Sequence, residues 1–192
     1  MLIPVKSFTR AKVRLAGALD AGERAALARA MAAQVVGAAA PLPVWCVCDD
    51  EQVAAWALDH GAQVEWTPGL GLNGAVQAAV DRQAAAGTGR VVVAHADLPF
   101  ARDLAVLADA ADDEVVLVPD RHRLGSNVVS VPTGAGFRFT YGQGSFERHC
   151  AEADRCGLRL RIVRAEHLGW DVDEPIDLDV PAHLGPLPGG AS

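Results

Sequence analysis

Lysine is almost missing from this chain. Of seventeen basic residues in 192, fifteen are arginine, and the two lysines, Lys6 and Lys12, both fall within the first twelve positions. Asparagine is as scarce: Asn73 and Asn127 are the only two, and both sit in glycine-containing turns. The four cysteines are few for the length; Cys46 and Cys48 alternate on a strand-like run, and Cys150 and Cys156 flank a helical one. Neither pair has the spacing of a zinc site, so they read as reduced thiols of a cytoplasmic protein. No apolar run approaches the roughly 20 residues that span a bilayer, which argues against a membrane protein. The opening Met-Leu-Ile-Pro-Val-Lys-Ser-Phe reads as a strand, not as a signal peptide. There is no excess of positive charge: the net charge is -7 and the pI near 5.3. That excludes a broad nucleic-acid-binding surface, which needs clustered cations, so any phosphate site must be local.

What is present is apolar and regularly punctuated. At 51% hydrophobic and 21% charged residues the chain can bury a sizeable core. We expect one domain over residues 1–180 and a Pro/Gly-rich tail over 181–192 that frays. Short apolar runs at 2–5, 44–47, 62–65, 90–94 and 114–118 read as strands. Between them, stretches at 21–39, 50–60, 73–86 and 102–110 read as helices. The alternation predicts an α/β fold with a parallel sheet covered on both faces. After Pro119 the pattern changes, with strands at 127–131 and 158–163, a Gly-rich loop and strand at 133–140, and a helix at 144–156. In open α/β sheets ligands bind beyond the carboxyl ends of strands, which selects the loops after Val5, Glu65, Ala94 and Pro119.

Those loops hold most of the reactive residue types. Lys6, Arg10, Lys12 and Arg14 place four cations within nine residues, directly after a strand. Such a loop can wrap a triphosphate, or it is a solvated basic turn. It is not a Walker A loop, whose glycine pattern is absent. Asn73 follows Gly69 and Gly71, and could cap a helix or reach a ribose or base edge. Asp97 sits just past the most apolar strand, where a buried carboxylate needs a partner. Magnesium with a triphosphate is one such partner; a turn or cap role is the other reading. His95 reads as a packed support. Gly125-Ser126-Asn127 and Gly142-Gln143-Gly144-Ser145 each join glycine to a hydroxyl. The second opens a helix, whose first N–H groups with Ser145 could hold an anion, Ser145 otherwise being a plain cap. Arg148 and His149 could support a phosphate there or lie on the helix surface. Asp171 and Asp173 alternate on one face of an extended stretch, and two like charges so close call for a cation. Glu174 and Asp177 read as caps of a last short helix.

In chain order, six segments stand out. They are Pro4-Val5-Lys6 with Lys12-Val13-Arg14-Leu15, Gly71-Leu72-Asn73-Gly74-Ala75, Ala96-Asp97-Leu98-Pro99, Gly125-Ser126-Asn127, Tyr141-Gly142-Gln143-Gly144-Ser145-Phe146 with His149, and Asp171-Val172-Asp173 with Pro175. Together they resemble the 2-phospholactate/phosphoenolpyruvate guanylyltransferases of coenzyme F420 biosynthesis, across nearly the whole chain. The resemblance implies the nucleotide-diphospho-sugar transferase fold, GT-A-like and Rossmann-type, with a mostly parallel mixed sheet. It implies that Lys6, Lys12 and Arg14 bind the triphosphate of GTP and that Asn73 lies near the nucleoside. It places Mg²⁺ on Asp97, Asp171 and Asp173, and the phosphorylated acid on Ser126, Gly142 and Ser145. The family often has threonine where Ser126 stands, and the hydroxyl is kept.

The expected chemistry is attack of an acceptor phosphate oxygen on the α-phosphorus of GTP, with diphosphate leaving. Lys6, Lys12, Arg14 and Asp97 would carry it through positioning and charge neutralisation. Phosphoenolpyruvate, 2-phospholactate and 3-phosphoglycerate remain open as acceptors, because they share a carboxylate and a phosphate. Another nucleotidyltransferase of the same fold and a non-catalytic GTP-binding module are the competing readings. The sequence leaves the oligomeric state open.

Overall fold

A computed structural model describes residues 1–190. Seven strands form one sheet: β1 (Leu2–Pro4), β2 (Trp45–Cys48), β3 (Gln63–Trp66), β4 (Arg90–Ala94), β5 (Glu114–Pro119), β6 (Ser126–Pro132) and β7 (Arg159–Ile162). Their spatial order is β3-β2-β1-β4-β6-β5-β7. All neighbours pair in parallel except β6, which runs antiparallel to both β4 and β5. The sheet is therefore mixed and mostly parallel, as expected. The reversal at β6 has a functional consequence. The start of β6 lies at the same sheet edge as the ends of β1, β4 and β5, with Ala94 opposite Val128 and Pro119 opposite Ser126.

Strand residues alternate between two cores because both faces are covered. On one side Ile3, Cys46, Val92, Val116 and Val128 pack beneath α1 (Ala21–Ala38), α2 (Glu51–Asp59) and α5 (Glu166–Gly169). On the other, Leu2, Val47, Val93, Leu117 and Val129 meet α3 (Gly71–Ala85) and α4 (Ser145–Arg155). The helix starts follow from local chemistry. Asp20 and Glu23 exchange side-chain to backbone bonds of 2.8 and 2.7 Å at the head of α1. Asp50 accepts from the N–H groups of Gln52 and Val53 at the head of α2.

Two expectations are corrected. Residues 102–110 do not form an α-helix; a 3-10 turn covers Leu104–Ala108, whose three-residue period puts the buried Leu104 and Leu107 on one side. Residues 137–140 add no strand to the sheet; they run extended across the second core, with Phe137, Phe139 and Tyr141 buried in it. Leu187 packs against a third cluster of Leu15, Leu27, Met31 and Val172, and a Cβ at Gly189 would stand 3.0 Å from Ala30 Cβ. The tail's last two residues, 191 and 192, lie outside the described residues. No described helix is long and apolar enough to cross a membrane, and all four cysteines are free.

Candidate active site

The loop after β1 turns through a 3-10 segment at Phe8–Arg10 and reaches Lys12, which adopts a left-handed φ of 54°. The next turn, Val13–Gly17, is pinned by Leu15, fully buried in the third cluster beside Val172. This anchoring carries the Lys12 ammonium inward. Its Nζ lies 2.6 Å from Asp97 Oδ2 and 3.0 Å from Asp173 Oδ1, with the lysine side chain only 10% exposed. Asp97 follows β4; Asp171 and Asp173 flank the buried Val172, whose N–H donates to the Asp97 carbonyl. Three residues distant in sequence are thus brought together: Asp97, Asp173 and the second lysine.

The electrostatics leave the cluster short of positive charge. Burial works against the Lys12 ammonium, but Asp97 and Asp173 outweigh it and raise its pKa. Burial pushes Asp97 up, and Lys12 more than reverses this, so its pKa is lowered. Asp171 has no such partner: burial, with Asp97 and Asp173 adding, pushes it up to about 7. Asp97 Oδ1 is buried without a hydrogen-bond partner, as are His95 Nε2 and the Tyr141 hydroxyl, whose rings lie 4.8 Å apart. Among the described residues no three acidic, histidine or cysteine side chains close into a ready-made metal cage. The partnerless Asp97 Oδ1 is an oxygen of the kind Mg²⁺ takes, an ion held by one or two carboxylates with water and substrate phosphate oxygens completing its shell. Lys6 and Arg14, on the same loop as Lys12, are exposed.

The Asp171–Asp173 stretch is held by residues that the sequence reading passed over or undervalued. Asp177 was read as a cap, and it is one. Its Oδ2 accepts from the N–H groups of Asp173 and Glu174, each at 2.7 Å. Its Oδ1 also pairs with Arg121, which donates to the Asp171 carbonyl at 3.1 Å and lies 4.3 Å over the Trp170 ring. The lone signal in the sequence was an arginine just past a strand end. Asp120 beside it accepts from the N–H groups of Leu124 and Gly125, which bends the chain into β6. A Cβ at Gly125 would stand 2.8 Å from Asp120 Oδ2, so a larger residue there would push the Asp120 carboxylate off the N–H groups it caps.

Ser126, Gly142 and Ser145 also converge, but not as three exposed donors. Ser145 Oγ accepts from the Ser126 N–H at 3.1 Å, and both serines are buried. The cap of α4 is Gly144, with φ 73°, and not Ser145. His149 is fully buried rather than on the helix surface. Its Nε2 accepts from the Thr140 N–H at 3.0 Å, which leaves the proton on Nδ1 to be donated to Ser126 Oγ at 2.9 Å. Burial, helped by the nearby His95, lowers its pKa to about 4, so the ring is neutral. Arg148 closes the turn above by donating to the carbonyls of Thr140 and Gln143. Asn73 does not cap α3, which starts at Gly71 after Leu70. Its amide is occupied on both sides by the Tyr141 backbone, accepting from N–H at 2.7 Å and donating to the carbonyl at 3.3 Å.

Comparisons with known proteins bear on the fold and the family. Among solved structures, a protein described as a nucleotide-diphospho-sugar transferase from Desulfovibrio desulfuricans G20 superposes with a TM-score of 0.74 at 19% identity, covering 93% of this chain and 83% of that one. A nucleotidyl transferase from Methanothermobacter thermautotrophicus superposes at 0.65 with 14% identity, over 95% of each chain. These establish the fold. In sequence, the phosphoenolpyruvate guanylyltransferase of Roseiflexus castenholzii is 37% identical over 181 residues, 92% of this chain and 84% of that protein. The 2-phospho-L-lactate guanylyltransferase of Methanothermobacter thermautotrophicus is 33% identical over 183 residues, 92% of this chain and 81% of that protein. Residues 1–181 match the family described as "Guanylyl transferase CofC like", and the chain belongs to that family.

Proposed function

We propose that this protein transfers GMP from GTP to a small phosphorylated acid, phosphoenolpyruvate or 2-phospho-L-lactate, releasing diphosphate, in coenzyme F420 biosynthesis in the cytoplasm. The observation that carries the reading is the bridge of Lys12 between Asp97 and Asp173 at the strand ends, with Asp171 alongside and uncompensated. Asp97, Asp171 and Asp173 would hold Mg²⁺, which when bound supplies charge neutralisation on phosphate oxygens. Lys6, Lys12 and Arg14 orient the triphosphate from the N-terminal loop. The acid would sit against the turn from Gly142 to Ser145 at the head of α4, where the helix dipole favours an anion, although the Ser145 and Phe146 N–H groups already donate to the Gly142 and Leu124 carbonyls. Burial of Ser126 and Ser145 makes them the floor of that cradle. No general base is required, because a phosphate oxygen is already ionised near neutral pH. Catalysis then rests on alignment and on charge placed before the reaction.

Diphosphate release from GTP with Mg²⁺ tests this, with phosphoenolpyruvate, 2-phospho-L-lactate and 3-phosphoglycerate offered separately. Release with one of the first two is expected. Release with CTP but not GTP would point to another nucleotidyltransferase of this fold. Tight GTP binding with no release from any acid would sink the enzyme reading in favour of a binding module.

A further inference from the structure

We infer that the extended segment from Arg138 to Tyr141 is set by a ladder of side chains from α3 and α4, and that Asn73 and His149 thereby control the grip of the site on the phosphorylated acid. The acid half of this inference rests on the proposed role of the turn from Gly142 to Ser145. The segment runs extended but joins no strand, so its backbone N–H groups need other acceptors. Four consecutive ones are met by side chains, alternately from the two helices. Arg138 N–H donates to Glu152 at 2.8 Å, Phe139 N–H to Gln77 at 3.4 Å, Thr140 N–H to His149 at 3.0 Å and Tyr141 N–H to Asn73 at 2.7 Å. Asn73 and Gln77 lie one turn apart on α3, and His149 and Glu152 one turn apart on α4. Phe137, Phe139 and Tyr141 project into the core between these rungs.

The last two rungs matter most for chemistry. Both sit immediately before Gly142, whose φ of 119° turns the chain into the head of α4. Asn73 holds both polar groups of the Tyr141 backbone. The Tyr141 ring lies 4.8 Å from His95, two residues before Asp97. His149 ties the same segment to Ser126 at the start of β6. A shift of the two rungs therefore moves the acid cradle without touching Lys6, Lys12 or Arg14. In this assignment Asn73 is a positioning residue for the acid and not a nucleoside contact.

The test compares Asn73→Ala, Asn73→Asp, Gln77→Ala and His149→Phe in steady-state kinetics and in amide hydrogen exchange of the substrate-free protein. Asn73→Ala and His149→Phe should raise KM for the acid about tenfold or more while GTP KM stays within about twofold. Asn73→Asp should fall between, since it still accepts from Tyr141 N–H but faces the Tyr141 carbonyl with a negative charge. Gln77→Ala, which removes the longest rung, should have the smallest effect. Amides 138–141 should exchange faster in Asn73→Ala. Equal rises in both KM values, or an unchanged acid KM, would overturn the acid role. Unchanged exchange would overturn the ladder itself, even if the wild-type protein transferred GMP to no acid and the functional proposal failed on its own. Should His149→Phe not fold, the Asn73 pair decides.

Discussion

At the scale of single residues, Lys12 is the resident counter-ion of Asp97 and Asp173, and in the proposed function it also serves as a phosphate ligand. A divalent metal brought in with the triphosphate must take over the counter-ion's task. Lys12→Met should therefore lower kcat/KM by about 100-fold, since charge placed at the reacting phosphates is lost. In the nucleotide-free protein the same change should tighten Mn²⁺ binding several-fold by removing a competing cation, measurable by titration calorimetry. Weaker Mn²⁺ binding would mean that the ammonium does not compete for the carboxylates. Asp171 gives a second test. Its pKa is raised in the folded protein to about 7, mainly by burial. The folded state thus holds a proton that the unfolded chain has released, and stability is lost as pH rises from about 4 to about 7. The difference between wild type and Asp171→Asn should show this, reaching roughly 4 kcal/mol at most. His149 works in the opposite direction below its ordinary value, with its folded pKa lowered to about 4, so the comparison must be made between these two proteins at each pH. Added Mg²⁺ should raise the wild-type Tm more at pH 8 than at pH 5, because metal and proton compete for one carboxylate.

At the scale of elements, the loop from Trp170 to Glu174 owes its shape to groups outside it. Asp177 and Arg121 grip its backbone from both sides. Asp177→Asn keeps an acceptor for the two N–H groups but breaks the charged link to Arg121. It should cost about 1–3 kcal/mol in denaturant unfolding, the range for a charge-assisted hydrogen bond. It should also raise the Mg²⁺ concentration for half-maximal rate; an unchanged metal requirement would make the grip purely structural. These elements also mark where the sequence could be read and where it could not. β4 appears at 90–94 as expected, since five residues flanked by glycine and a polar turn can only be a buried strand. Asp97 stood out as a carboxylate beside a buried strand, and Asp171 and Asp173 as like charges alternating on one face of an extended stretch. The segment 137–141 misled because its alternating aromatics have strand periodicity, while its backbone partners are side chains from two helices. His149 misled too, since only the tertiary fold shows that its face of α4 is covered.

At the scale of the whole molecule, the small third cluster is where distant parts of the chain meet. Leu15 from the first loop, Leu27 and Met31 from α1, Val172 between the two aspartates and Leu187 from the tail pack together. This cluster joins the two segments that carry the ion pair, since Lys12 lies three residues before Leu15 and Asp173 lies next to Val172. Stability and function should therefore separate by position. Leu187→Ala removes a partly buried contact at the rim and should cost about 1–2 kcal/mol with little change in GTP KM. Leu15→Ala opens a cavity at a fully buried site and should cost about 2–5 kcal/mol. It should also raise GTP KM, because the Lys12 turn loses its anchor. Denaturant unfolding with initial rates over a GTP series measures both quantities in each protein. If Leu15→Ala loses the stability but keeps GTP KM, the cluster is scaffold alone, and Lys12 is held by its ion pairs with Asp97 and Asp173. If both change together, the packing of apolar residues that touch no substrate fixes the geometry of the charged ones that do.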